Sequence, residues 1–147
     1  MEYRFKFLIS IILYLILPSA IAEELVFFSH PTVLEMDLSK DKMRDIYLKK
    51  IRFWKDGKKI RPLDHAVGSV DKDKFNKMIL GKTEAELTEH WIQEKQQTGV
   101  VQPLQVQKSE MLIYLVETLI GSVGYIANTP ENAKLLETKK VKVILYE

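Results

Sequence analysis

Apolar positions along the chain change their spacing several times, and each change predicts an element. From Glu24 to Ser29 the run ELVFFS is short, apolar and aromatic, as a buried strand should be, and His30-Pro31 ends it. Ser39 then offers a helix cap, and Met43, Ile46, Tyr47 and Lys50 or Ile51 recur at helical spacing, predicting a helix from about Lys40 to Lys49. Phe53-Trp54 and the turn Asp56-Gly57 lead to a second strand, Ile60 to Leu63, which Pro62 should keep brief or at an edge. Phe75, Met78 and Ile79 share one face of a helix from about Asp71 to Leu80, with Gly81 placed for a left-handed cap. Thr83 and Glu86 form a capping box for a third helix, carried on by Leu87, Trp91 and Glu94 or Lys95 and ending near Gly99.

A strand from Val101 to Val106, interrupted by Pro103, precedes a fourth helix that Ser109 should cap, with Leu112, Leu115, Val116 and Leu119 as its apolar stripe and Gly121 closing it. Ser122 to Ala127 reads as a strand whose Gly124 permits close backbone approach, and Val141, Val143 and Leu145 alternate in a last strand. Interleaved strands and helices predict a layered α/β domain, with a mostly parallel or mixed sheet flanked by helices, rather than a bundle or sandwich. The chain shows neither an internal repeat nor a linker.

The first residues add a compartment. Arg4 and Lys6 precede an apolar run from Phe7 to Leu17, followed by Pro18 and the small-x-small triplet Ala20-Ile21-Ala22, the three-part grammar of a cleavable signal peptide over residues 1–22. That run is shorter than the roughly 20 residues a membrane span requires. No cysteine is present to carry an acyl anchor, so the expected product is a periplasmic domain, residues 23–147, held by packing without disulfides. Losing the leader lowers Lys plus Arg from 22 to 20 and Asp plus Glu from 20 to 19, a near-neutral balance that argues against nucleic-acid binding. Basic residues gather from Lys40 to Arg61 with Asp41, Asp45 and Asp56 among them, which reads as a solvated helix face.

The order of motifs carries a family resemblance. The run from Leu38 to Leu48, LSKDKMRDIYL, then Trp54-Lys55-Asp56-Gly57 and Ile60-Arg61-Pro62, resembles the periplasmic phosphate-binding proteins of ABC importers. Gly121-Ser122-Val123-Gly124-Tyr125-Ile126 is similar to the G-x-I-G-Y-V segment of that family. The resemblance covers nearly all of residues 23–147 but only about half of a full-length member. It implies one lobe of a periplasmic-binding-protein-like fold, non-enzymatic and without a cofactor, whose partners would be phosphate or a similar small anion and a membrane transporter, channel or sensor protein.

Full-length members carry a strand ending in arginine, then a G-S-G-T turn opening a helix, where hydroxyls, free amides and a guanidinium hold the oxyanion. Along Ile60 to Phe75 the arginine position falls on His65, Gly68 and Ser69 match, Val70 replaces the second glycine and Asp71 the threonine. Two readings of the turn stand. In one, Ser69, the amides of Val70 to Lys72, and Lys72 or Lys74 form a weak anion site that needs His65 protonated. In the other, Asp71 caps an ordinary helix start.

Other chemistry is thinly carried. His30, His65 and His90 have no metal-ligand spacing. Ser29-His30 are neighbours on a strand and so point to opposite faces, and no G-x-S-x-G elbow is present. Trp54, Trp91, Phe53 and Tyr47 are expected as core anchors. The rival to a solute-binding function is a protein-interaction or sensory module whose uncovered cleft face meets another polypeptide or a second copy.

Overall fold

The computed structural model describes residues 25–35 and 38–144, so the leader and the final residues of the last predicted strand lie outside it. Five strands form one sheet in the order β3-β2-β4-β1-β5: β1 Leu25–Ser29, β2 Arg61–His65, β3 Leu104–Val106, β4 Ser122–Ala127 and β5 Lys142–Ile144. β2 runs parallel to β3 and β4, whereas β1 runs antiparallel to β4 and β5. The sheet is therefore mixed. β1 and β4 are buried along their whole length, as central strands with helices on both faces should be.

Five α-helices complete the layers: α1 Lys40–Tyr47, α2 Val70–Phe75, α3 Glu84–Thr98, α4 Ser109–Thr118 and α5 Pro130–Glu137. One core packs α1, α2 and the start of α3 on one face of the sheet through Tyr47, Phe75, Ile79 and Leu87, meeting Phe27 and Tyr125. The other packs α4 and α5 through Leu112, Val116 and Leu136 against Phe28 and Ile126. Gly124 lets α4 approach, since a Cβ there would stand 2.6 Å from Leu112 Cδ2 and 3.1 Å from Val116 Cγ2.

Several boundaries differ from the pattern's expectation for physical reasons. α1 is capped by Ser39 as expected but stops at Tyr47, because Lys49 turns left-handed at φ 57°. Ser69, not Asp71, caps α2, and α2 then runs into a five-residue π-helical turn, Asn76–Leu80, before Gly81 closes it at φ 62°. The Thr83–Glu86 capping box is formed. Ser109 is the first helical residue of α4 and makes no cap hydrogen bond, Lys108 taking the cap position. α5 was not expected, although Thr129 caps it and Pro130 opens it. Trp54 and Tyr47 are core anchors, but Phe53 is 60% exposed. The basic residues Lys49, Lys50, Lys58 and Lys59 lie beyond α1, on the turn and hairpin that follow, rather than on a helix face.

Candidate functional site

β2 carries Asp64 and His65 into the interior at its carboxyl end, where both are buried. A loop from Ala66 to Ser69 then reverses the chain, with Gly68 at φ 87°, into α2. In an open α/β sheet this end of the parallel strands, between the β2–α2 and β4–α5 loops, is where ligands are received. The first-turn amides of a helix have no intrahelical acceptor. Ser69 Oγ takes that of Lys72 at 3.2 Å, which leaves those of Val70 and Asp71 for an outside group.

The side chains at this turn are already committed. His65 Nε2 donates to the Tyr125 carbonyl oxygen at 2.7 Å, so its proton sits on Nε2. Asp71 reaches across to β4, where its Oδ1 accepts from the Ala127 amide at 3.3 Å, and its Oδ2 lies 3.8 Å from His65 Nε2. An internal carboxylate thus holds the mouth between β2 and β4. Lys72 turns inward and places its ammonium 2.6 Å from Asp64 Oδ2 and 3.9 Å from Glu84 Oε2. The Val70 side chain points to solvent.

Beneath the turn lies a buried polar cluster that the sequence pattern did not single out. Asp64 accepts from the Lys72 ammonium, from the Tyr125 hydroxyl and from the His65 amide at 2.9 Å. Tyr125 stacks on Phe75 at 3.9 Å between ring centres, and the Tyr47 hydroxyl donates to the Leu63 carbonyl at 2.7 Å. Burial first, then the Asp64 charge, pushes both phenols well above the usual tyrosine range. With its charge balanced and its acceptors filled, Asp64 is chemically quiet. The signal for this cluster was Asp-His directly after the apolar Pro62-Leu63 of β2, and Lys72 falling on the face of Phe75 and Ile79.

The other histidines are elsewhere. His30 Nδ1 accepts from the Thr32 amide at 3.2 Å, and the His90 ring rests against Trp91 at 4.7 Å between centres. Among the described residues no group of three or more His, Asp or Glu is arranged to hold a metal ion. Nor is any described helix long and apolar enough to cross a membrane.

No family model and no curated protein matches the sequence. Solved structures do match. PstS from Borrelia burgdorferi is similar at a TM-score of 0.64 and 17% identity, covering 83% of this chain and 46% of its own. An ABC-type phosphate transport receptor from Vibrio cholerae matches at 0.61 and 20% identity, covering 83% of this chain and 45% of its own. A protein described as a phosphate ABC transporter substrate-binding protein with bound phosphate, from Clostridium perfringens, matches at 0.57 and 23% identity, covering 84% and 56%. The fold is that of these binding proteins, and the chain spans about half their length.

Proposed function

We propose that this chain is a non-enzymatic solute-binding lobe of the phosphate-transport type, placed in the periplasm by the leader Met1–Ala22, with phosphate or a similar oxyanion as its ligand class. The observation that carries the reading is the shared fold with three binding proteins of phosphate transport. The candidate contacts are His65, Gly68, Ser69, Val70, Asp71 and Lys72, with the free amides of Val70 and Asp71 as donors. Affinity at this turn is low, because Asp71 already places a carboxylate there and Lys72 spends its charge on Asp64. Ser29 is fully buried and the His30 ring is engaged by Thr32, an arrangement that supports binding rather than hydrolysis.

Titration calorimetry with inorganic phosphate at pH 5.5 and 7.5 tests the ligand. The expected dissociation constant is about 1 mM, and Asp71→Asn, by removing a like charge, should tighten it about tenfold. No heat at millimolar phosphate at either pH, in wild type and variant alike, would remove the ligand from the reading.

A second reading, an interaction module for a transporter, channel or sensor protein, has its own observation. Val67, Ile92 and Val101 are exposed along a groove of about 410 Å³ floored by Trp91, beside the open edge of β3 with its exposed Leu104. Sedimentation equilibrium checks the self-associating form of this reading, and a crosslinked periplasmic pull-down that Val101→Glu abolishes checks the form with another protein.

A further inference from the structure

The opposite end of the sheet carries an unbalanced positive charge. Between Lys49 and Arg61, thirteen residues hold seven Lys and Arg and one acid, Asp56, whereas the rest of the chain holds 15 basic against 19 acidic residues. The fold gathers this segment. Phe53 pairs with Lys59 across a short hairpin whose turn includes Gly57 at φ 85°. Trp54 pins the hairpin down, its Nε1 donating to the Gly121 carbonyl at 3.0 Å, and the Arg61 amide donates to the same oxygen at 3.1 Å. Lys49 lies close enough to Lys59 for the two charges to act on each other.

Counter-charges are few. Lys50 lies 3.7 Å from Asp45, and Lys58 pairs with Asp56. Glu35 accepts from the Lys55 amide and pairs with Lys42, and Glu94 is the acid among the residues lining the hollow of about 430 Å³ that Lys49, Lys50 and Arg52 share with His90, at ion-pair distance from none of them. Among the described residues Lys49, Arg52, Lys55, Lys59 and Arg61 form no ion pair. Amid these five cations Phe53 is 60% exposed, and Ile120, next to Gly121, is 58% exposed.

We infer that the Lys49–Arg61 hairpin end docks on an anionic phospholipid surface, the cations facing lipid phosphates and Phe53 entering the headgroup layer. Four to eight clustered Lys and Arg are what such a surface attracts, and an exposed apolar ring adds area to bury at the boundary of headgroups and acyl chains. Lysine dominates the cluster, and its compact, freely rotating charge suits a fluid surface. A protein partner's carboxylates would favour the arginine fork, and protein interfaces are depleted in lysine. The inference does not rest on the solute-binding reading, since it concerns the other end of the sheet.

Co-sedimentation of the full chain with phosphatidylglycerol-containing vesicles and with pure phosphatidylcholine vesicles tests it. Binding is expected only to the first, weakening as salt shortens the Debye length. Lys49→Gln/Arg52→Gln/Lys59→Gln together should lower the partition coefficient about 100-fold, and Phe53→Ser several-fold. Lys108→Gln, at the far end of β3, should leave it within about twofold. Equal binding to both vesicles, no binding, or binding that the triple substitution leaves unchanged overturns the proposal; the last would place the contact elsewhere, the apolar run Phe7–Leu17 included. Capture by soluble polyglutamate with the anionic vesicles left unbound would assign the patch to an acidic protein and overturn it equally. The two-vesicle comparison and its salt dependence use wild type, so they test docking on anionic lipid even if the triple variant unfolds, and Phe53→Ser, at an exposed ring, then tests the hairpin end.

Discussion

Lysines stand at both ends of the parallel strands, and the fold uses them in opposite ways. At the carboxyl end Lys72 is buried, its ammonium 2.6 Å from Asp64, so its charge is spent inside the protein. At the amino end Lys49, Arg52 and Lys59 keep their charges without an acid partner among the described residues. The end that resembles an anion site is therefore internally neutralised, and the end that carries no candidate ligand contact holds the available positive field. A residue's type says little about the charge it offers until its partner is known.

The buried end should break hardest. Lys72→Met strands the Asp64 carboxylate in the interior, and a broken buried pair of this kind costs about 3–5 kcal/mol. Urea unfolding should show that loss, with Lys72→Met/Asp64→Asn clearly more stable than Lys72→Met alone because no charge is then left unpaired. A double variant no better than the single would mean that Lys72 acts by packing its stem rather than by pairing.

A smaller effect sharpens the same comparison through pH. Tyr47 and Tyr125 have native pKa values raised by burial and then by Asp64, so the native state keeps protons that unfolded tyrosines release near pH 10. Stability is then complete below about pH 10 and falls above it, by about 1.4 kcal/mol per pH unit for each tyrosine. Urea midpoints at pH 9 and 11 check the slope, and Tyr125→Phe should remove one of the two contributions. A slope unaffected by Tyr125→Phe would leave Tyr47 or another group responsible.

Much of this fold is legible in the sequence because its punctuation is local. Ser39, the Thr83–Glu86 box, Gly81 and Gly99 act within one helical turn, and each is found in its expected role. α5 carries the same kind of signal in Thr129-Pro130, but its apolar face is sparse and periodicity alone passes it by. Strand direction is different in kind. Whether β1 runs with or against β4 depends on residues about a hundred positions apart, and no local pattern encodes it. The turn His65–Lys72 is legible as a candidate; its chemistry is not. Reading Lys72 as an anion contact assumes that it faces out; its spacing already sets it on the face of Phe75 and Ile79, and the packing of α2 against β2 turns that face inward.

Lys49 itself supplies the finest test of the contrast between the two ends. The Lys49 amide bonds the Ile46 carbonyl at 3.0 Å and the Lys50 amide that of Asp45 at 2.8 Å, a helix-ending motif whose left-handed position usually holds glycine. A lysine there bears the crowding of its Cβ at φ 57°, and burial followed by Lys59 pulls its pKa below the ordinary lysine value. A lowered lysine pKa means that the charged form is disfavoured in the native state, so its removal relieves the fold at every pH below that value. Lys49→Gly should therefore raise stability by about 0.5–1 kcal/mol in urea unfolding, after glycine's own entropy cost is counted. If the basic end serves contact with an anionic surface, the same substitution should weaken binding to phosphatidylglycerol vesicles about fivefold, the share of a single charge. Stability and binding would then move in opposite directions at one residue. A variant that gained stability with vesicle binding intact would show that Lys49 contributes nothing to that contact and would shift it toward Arg52, Lys59 and Phe53.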